Sequence, residues 1–279
     1  MTMRLFDTHT HIQDAQFDAA RDDVIARARD AGLAGMLVLG VDVPTSQQAV
    51  ELARANGFVF AAAGCHPHDA NGMDDQALAT LAELAAQPDV VAVGEIGLDF
   101  YRNLSSREKQ IDVFRRQLDL ARELAKPVAV HCREAQDEML PIIEEWSRGL
   151  GGAFPGGRPL GVMHYFSGDA VLGAHYVSLG FMISIHTSIT YPKSDRLRGV
   201  ARSLPLAALV VETDSPYGAP QSTRGKRNEP ANVRAAVETI TEVRGEPFER
   251  IAEATTENAL RLFGIESRLT QPAETRSTS

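Results

Sequence analysis

Lysine is nearly missing from this chain: Lys109, Lys126, Lys193 and Lys226 are the only four among 279 residues, so arginine carries most of the positive charge. Cysteine is as scarce. Cys65 and Cys132 each sit beside a histidine, and two such residues build no disulfide framework; a reduced, cytoplasmic setting is expected. No apolar run reaches the ~18 residues a membrane span requires. The N-terminus lacks a basic segment followed by a long apolar core, so no secretory signal is expected. No G-x-G-x-x-G or Walker pattern follows an early strand, which removes support for a nucleotide-binding sheet. There is no internal repeat. Net positive charge is absent too: the formal charge is -9 at pH 7. That argues against a protein that coats nucleic acid non-specifically. It leaves room for a nuclease, because acids gathered around metal ions work under a reversed local field.

What the chain does have is regular alternation. Apolar or β-rich runs occur at Arg4–Asp7, Met36–Val41, Phe58–Gly64, Val90–Glu95, Val128–His131, Gly161–His164, Phe181–Ile185 and Leu209–Thr213. Stretches of helical period separate them. The clearest is Ser105–Lys126, with Ile111, Phe114, Leu118 and Ala121 on one face, a Ser105/Glu108 capping box, and Pro127 as the stop. Asp18–Ala31, Gln76–Ala86, Glu134–Ser147, Pro230–Arg244 and Pro247–Phe263 follow suit. Eight strands alternating with helices predict a (β/α)₈ TIM-type barrel over residues 1–266, with catalytic groups at the C-terminal strand ends. Gly149–Pro159 is a Gly/Pro-rich loop insertion, and the polar tail at 267–279 is expected to be disordered.

The strand ends carry the chemistry. The first runs into Phe6-Asp7-Thr8-His9-Thr10-His11, where side chains two apart on extended chain point the same way. Taken alone, His9 and His11 could equally be a surface or core pair. Later ends tip the balance: Glu95 in Gly94–Asp99, His131 before Cys132-Arg133, His164 before Tyr165-Phe166, and Asp214 in Glu212–Pro216. Four imidazoles and two carboxylates are too many for one tetrahedral ion with an open position. They suit two divalent ions, with His9, His11 and Asp214 on one, His131 and His164 on the other, and Glu95 bridging. Such a pair can activate water and clamp both oxygens of an in-line displacement. Mixed His/carboxylate ligation suits Zn²⁺ or Mn²⁺, whereas Mg²⁺ prefers oxygen ligands.

These motifs resemble those of the TatD-type metal-dependent deoxyribonucleases of the amidohydrolase-like barrel superfamily. The matching stretches are Phe6–His11, Gly64–His68, Gly94–Arg102, His164–Gly168, Glu212–Tyr217 and Arg224–Ala231. They run in order over nearly all of residues 4–263. The resemblance implies a barrel, a divalent-metal centre on the six residues above, and phosphodiester hydrolysis, often 3′→5′ on single-stranded DNA. Many barrels of the superfamily bridge their metals with a carboxylated lysine. No lysine here lies at a strand end, so Glu95 takes that role. Tyr165 stands where the family commonly has cysteine, and Ile185–Ser188 replaces a more usual Ser/Gly loop; these departures bear on substrate preference.

Phosphodiester hydrolysis also needs donors aimed at developing charge. Candidates are His66, Arg133, Arg102 and the basic loop Arg224, Lys226, Arg227, with His68 weaker because Pro67 could turn it away. Phe100 and Tyr101 could stack on a base or pack against a helix. In the expected mechanism Asp214 accepts the proton of the attacking water, and His66 and Arg133 stabilise the charged phosphoryl group. The expected partner is a single-stranded DNA or oligonucleotide; no membrane and no protein partner is indicated. Two alternatives remain. One is an amide or ester hydrolase such as an aminoacyl-tRNA editing deacylase; the other is a catalytically silent binding protein.

Overall fold

A computed structural model describes residues 5–266 of the chain; Arg4 and the tail expected beyond Glu266 lie outside the described residues. Eight strands form one parallel sheet in chain order. They are β1 (Leu5–Thr10), β2 (Leu33–Leu39), β3 (Val59–Ala63), β4 (Val90–Asp99), β5 (Val128–Arg133), β6 (Gly161–Met163), β7 (Phe181–His186) and β8 (Leu209–Glu212). The sheet curls until β8 returns to β1. There the Asp214 amide donates to the His9 carbonyl (2.9 Å), and the His11 amide donates to the Ser215 carbonyl (2.7 Å). The helices α1 (Arg21–Asp30), α2 (Val43–Ala55), α3 (Asp75–Ala86), α4 (Arg107–Leu124), α5 (Gln136–Leu150), α6 (Ala170–Ser178), α7 (Asp195–Ser203) and α8 (Val233–Arg244) alternate with the strands, and α9 (Phe248–Phe263) follows. This is the (β/α)₈ barrel that the alternation predicts.

Side-chain alternation along each strand sorts the core into two layers. Met36, Val38, Val59, Val128, Val130 and Val211 belong to the outer layer that the helices cover. Phe6, Leu37, Phe60, Ala129, Met182 and Val210 fill the barrel interior together with Leu262 and Phe263 of α9. The Phe6 and Phe263 rings lie 5.9 Å apart, and Asn258 of α9 donates to the carbonyls of Leu206 and Leu209 at the start of β8 (2.8 Å each). So α9 plugs the N-terminal end, and the opposite end is left as the mouth.

Two local differences from the sequence reading bear on the site. Strand β4 continues four residues past Glu95, which carries Asp99 to the mouth. It can do so because Gly97 has a positive φ of 146° and a Cβ there would strike the His131 carbonyl; only glycine lets the two backbones approach this closely. Helix α4 begins at Arg107 with Ser106 as its cap, accepting from the Lys109 amide (3.3 Å). Ser105 is used otherwise: its hydroxyl donates to the His68 carbonyl (2.8 Å) and accepts from the Asn71 amide (2.9 Å). It thereby ties the loop after β3 to the loop after β4. The Gly149–Pro159 segment opens with the last two residues of α5, continues through a short turn at Pro155–Gly157 and is anchored by buried Phe154, whose ring packs on Trp146. Among the described residues no helix is long and apolar enough to cross a membrane.

Candidate metal centre at the barrel mouth

Six of the eight histidines converge on the mouth, and Glu95 is at their centre. Its Oε2 lies 3.3 Å from His9 Nε2 and 3.4 Å from His11 Nε2. Its Oε1 lies 3.0 Å from His131 Nδ1 and 3.6 Å from both His66 Nε2 and His164 Nε2. Asp214 Oδ1 approaches His11 (3.7 Å), His9 (3.9 Å) and His164 (3.9 Å). The two β1 imidazoles meet Nε2 to Nε2 at 3.1 Å. Atoms that each sit ~2.0–2.2 Å from one ion are separated by roughly 3.0–3.6 Å. Most of these spacings fall in or just beyond that window. His9, His11 and Glu95 form one compact donor group, and His66, Glu95 and His131 form another; the cluster fits divalent metal.

Protonation points the same way. Burial pushes His9 and His164 down to about 3, so both are neutral at pH 7 and offer a lone pair. Burial also holds His66 well below its ordinary value. Burial would raise Glu95, but His66, His9 and His164 around it keep its carboxyl well below the usual range. Asp214 goes up, through burial and then the nearby charges of Glu95 and Glu212. A buried, mutually repelling carboxylate pair beside the neutral rings of His9, His66 and His164 is a site built to accept a cation.

What His11, His131 and His66 present to the centre is set by what holds the other nitrogen, whereas Nδ1 of His9 has no partner. His11 Nδ1 faces the Leu39 carbonyl (3.1 Å), which leaves Nε2 as the lone-pair nitrogen. His164 Nδ1 lies 3.0 Å from Glu212 Oε1 but out of hydrogen-bond alignment with it, and its Nε2 is the nitrogen turned to Glu95. His131 Nε2 lies 3.2 Å from Asp99 Oδ2, so its Nδ1, 3.0 Å from Glu95, is the nitrogen that would give up its proton to a metal. His66 is the opposite case. Its Nδ1 accepts from the His68 amide (3.1 Å), so the neutral ring carries its proton on Nε2 and directs a donor at Glu95.

Three buried carboxylates behind this layer escaped the sequence reading. Asp99 has no exposed surface and accepts from His131, His68 (2.9 Å) and the amides of Tyr101 (3.0 Å) and Arg102 (2.8 Å). Burial works against its ionisation, yet these donors hold it far below the carboxylate range. Glu212 also accepts from the Tyr165 amide (2.7 Å). Asp7 accepts from the amides of His9 (3.2 Å) and Thr213 (2.9 Å) and from the Thr213 hydroxyl (2.6 Å), which locks β1 to the loop after β8. Acids an even number of residues from the ligands, Asp99 four after Glu95 and Glu212 two before Asp214, were the available signal. His68, expected to be turned away by Pro67, instead faces Asp99 and lines the mouth.

The centre opens into a cleft of about 850 Å³ that Arg102, Arg133 and Tyr217 help to line. Arg133 lies over the Tyr101 ring at 3.9 Å. Phe100 is buried under Arg107 and is unavailable to a base. The basic loop does not line the cleft. Arg227 is held by Glu229 (3.0 Å), the Gln16 carbonyl and the Phe17 ring. Arg224 lies over Tyr191, and Lys226 is exposed.

Known proteins resemble this chain over nearly their whole length. The chain is 38% identical to an uncharacterized metal-dependent hydrolase, YabD, of Bacillus subtilis over 262 residues, covering 94% of this chain and 99% of that one. It is likewise 38% identical to the 3′-5′ ssDNA/RNA exonuclease TatD of Escherichia coli over 266 residues, with the same coverage. Among solved structures, YjjV, a TatD homologue from Escherichia coli, superposes with a TM-score of 0.86 at 31% identity over 95% of this chain and 99% of that one. With residues 6–264 also matching the model for TatD-related DNases, the chain belongs to that family of hydrolases.

Proposed function

We propose that this protein is a two-metal phosphodiesterase that removes nucleotides from the 3′ end of single-stranded DNA. The observation that carries the reading is the position of Glu95, whose two oxygens face separate donor groups, His9/His11 on one side and His131/His164 on the other. His9, His11 and Asp214 would hold one ion, His131 and His164 the second, and Glu95 both. Bound divalent ions would supply Lewis acidity, activating water and neutralising phosphoryl charge. Four imidazoles favour Zn²⁺ or Mn²⁺ over Mg²⁺.

The chain's own residues do the rest. Asp214, at the mouth beside His11, accepts the proton of the attacking water. His66 presents Nε2–H to a non-bridging phosphoryl oxygen, since its Nδ1 is already an acceptor. Arg102 and Arg133 line the cleft and orient the neighbouring phosphates. The relatives named as ssDNA/RNA exonucleases support the substrate class.

The test is degradation of 5′-labelled single-stranded DNA with Mg²⁺, Mn²⁺ or Zn²⁺, with EDTA, and beside Asp214→Ala. A metal-dependent ladder shortening from the 3′ end, absent in the variant, is expected. Absence of cleavage by a protein that retains two metals, with turnover of an aminoacyl ester instead, would replace this reading with the amide/ester hydrolase.

A further inference from the structure

We infer that the rim of the mouth is a stacking surface for unpaired nucleobases, so that the strand is gripped by base faces more than by phosphate charge. The inference rests on the nucleic-acid reading of the site. Among the described residues four large hydrophobic side chains are exposed: Tyr101, Leu104, Val171 and Tyr217. Single exposed apolar residues are ordinary on any surface. All four of these, however, lie at one end of the barrel. Tyr101 and Leu104 lie between β4 and α4, Val171 in the first turn of α6 after β6, and Tyr217 after β8. Those connections follow the strands that lead to Glu95, His164 and Asp214.

The two tyrosines are fixed as well as exposed. The Tyr101 amide donates to Asp99 Oδ1 (3.0 Å), and Arg133 covers one face of the ring at 3.9 Å, while the residue remains 55% exposed. The Tyr217 amide donates to the Asp214 carbonyl (2.8 Å), its own carbonyl accepts from Asn228 (2.8 Å), and the residue is 54% exposed. The backbone of each tyrosine is therefore tied to an acidic residue of the site, Tyr101 to the Asp99 carboxylate and Tyr217 to the Asp214 carbonyl. A rigid aromatic face is a sequence-tolerant platform for a base, and a guanidinium behind it adds cation–π character.

Charge supports the same occupant by elimination. Arg102 and Arg133 line the cleft, but Asp14, Asp69 and Glu134 line it too, and the chain carries a formal charge of -9. Two phosphate contacts on a single strand give a salt slope of only about -1.4, at roughly -0.7 per contact. Beyond the phosphate held at the metals, affinity must then come largely from contacts that salt does not screen. A duplex, whose bases already stack on each other, cannot present the faces this rim would bind.

The test measures binding of metal-loaded protein to a 5′-labelled, hydrolysis-resistant phosphorothioate strand and to an abasic strand of equal length, across a salt series. The base-bearing strand should bind about 5- to 150-fold tighter. Tyr101→Ala or Tyr217→Ala should close much of that gap, whereas the Phe variants keep it. The log–log salt slope should be no steeper than about -2. Equal binding of the two strands, equal loss on both in the Ala variants, or a slope near about -4 would overturn the inference. Cleavage of an ordinary strand is run alongside. Cleavage without base preference sinks the stacking surface and spares the nuclease; base preference without cleavage does the reverse.

Discussion

Replacing Asp99 with asparagine changes almost no volume, yet it should empty half of the metal centre. One Asp99 oxygen accepts the amides of Tyr101 and Arg102, and an asparagine Oδ1 can keep both bonds. The other oxygen faces His131 Nε2 at 3.2 Å and His68 Nε2 at 2.9 Å. In Asp99→Asn that position becomes an NH₂ group, a donor facing a donor. His131 relieves the conflict by moving its proton to Nδ1, the nitrogen aimed at Glu95, and so loses the inward lone pair that a metal needs. Outer-shell changes of this kind typically cost 10- to 100-fold in metal affinity, or about 1.4–2.7 kcal/mol. Titration with a competing chelator, followed by metal analysis, should show one ion leaving early while the ion on His9 and His11 stays. The metal-free variant should still fold, because the bonds from the Tyr101 and Arg102 amides survive, but below about pH 9 it should melt lower than wild type for want of the His131–Asp99 pair. Two ions held with wild-type affinity in Asp99→Asn would refute both the tautomer argument and the assignment of His131 as a ligand.

Other expectations follow from the same geometry. Glu95→Ala removes the group shared by both donor sets, so metal analysis should find both ions lost and nuclease activity should fall by at least about 10³-fold, roughly 4 kcal/mol of transition-state stabilisation; retention of one tight ion would argue against bridging. In metal-free protein the bonds to Asp99 and Glu95 outweigh burial and raise His131 to about 9. A folded pKa above the unfolded value of about 6.5 means that its contribution is full below that pH and is lost as pH rises towards 9. Urea unfolding of EDTA-stripped protein should thus weaken over that window, and the decline should be blunted in Asp99→Asn; a flat wild-type profile contradicts it. Gly97→Ala places a Cβ against the His131 carbonyl at a positive φ, and should cost roughly 3 kcal/mol or more in chemical denaturation. A loss below about 1 kcal/mol would mean that β4 and β5 separate easily.

Much of this site is legible in the one-dimensional chain because barrel geometry is local and periodic. A strand end is marked by where an apolar run stops, and a side chain's facing is decided by parity along the strand. His9, His11, Glu95, His131, His164 and Asp214 could therefore be named together. Parity is silent about partners across strands. Asp99 and Glu212 are ordinary acids until β4 runs alongside β5, and β8 approaches the end of β6, to bring each within 3.2 Å of an imidazole nitrogen. The basic run Arg224–Arg227 shows the limit from the other side. Its charge is visible in sequence, but its chain folds back so that Arg227 meets Glu229, whose other partner is Arg27 on α1.

By itself, then, the sequence determined the alternating elements, the barrel they imply and the identity of the groups gathered at one end, since each depends on residues within a turn or a strand. The tertiary structure alone decided which nitrogen of each histidine faces the centre, which acids stand behind them, and which arginines reach the cleft. Those outcomes depend on contacts between elements distant in the chain, and a hydrogen bond's direction exists only once both of its partners are in place.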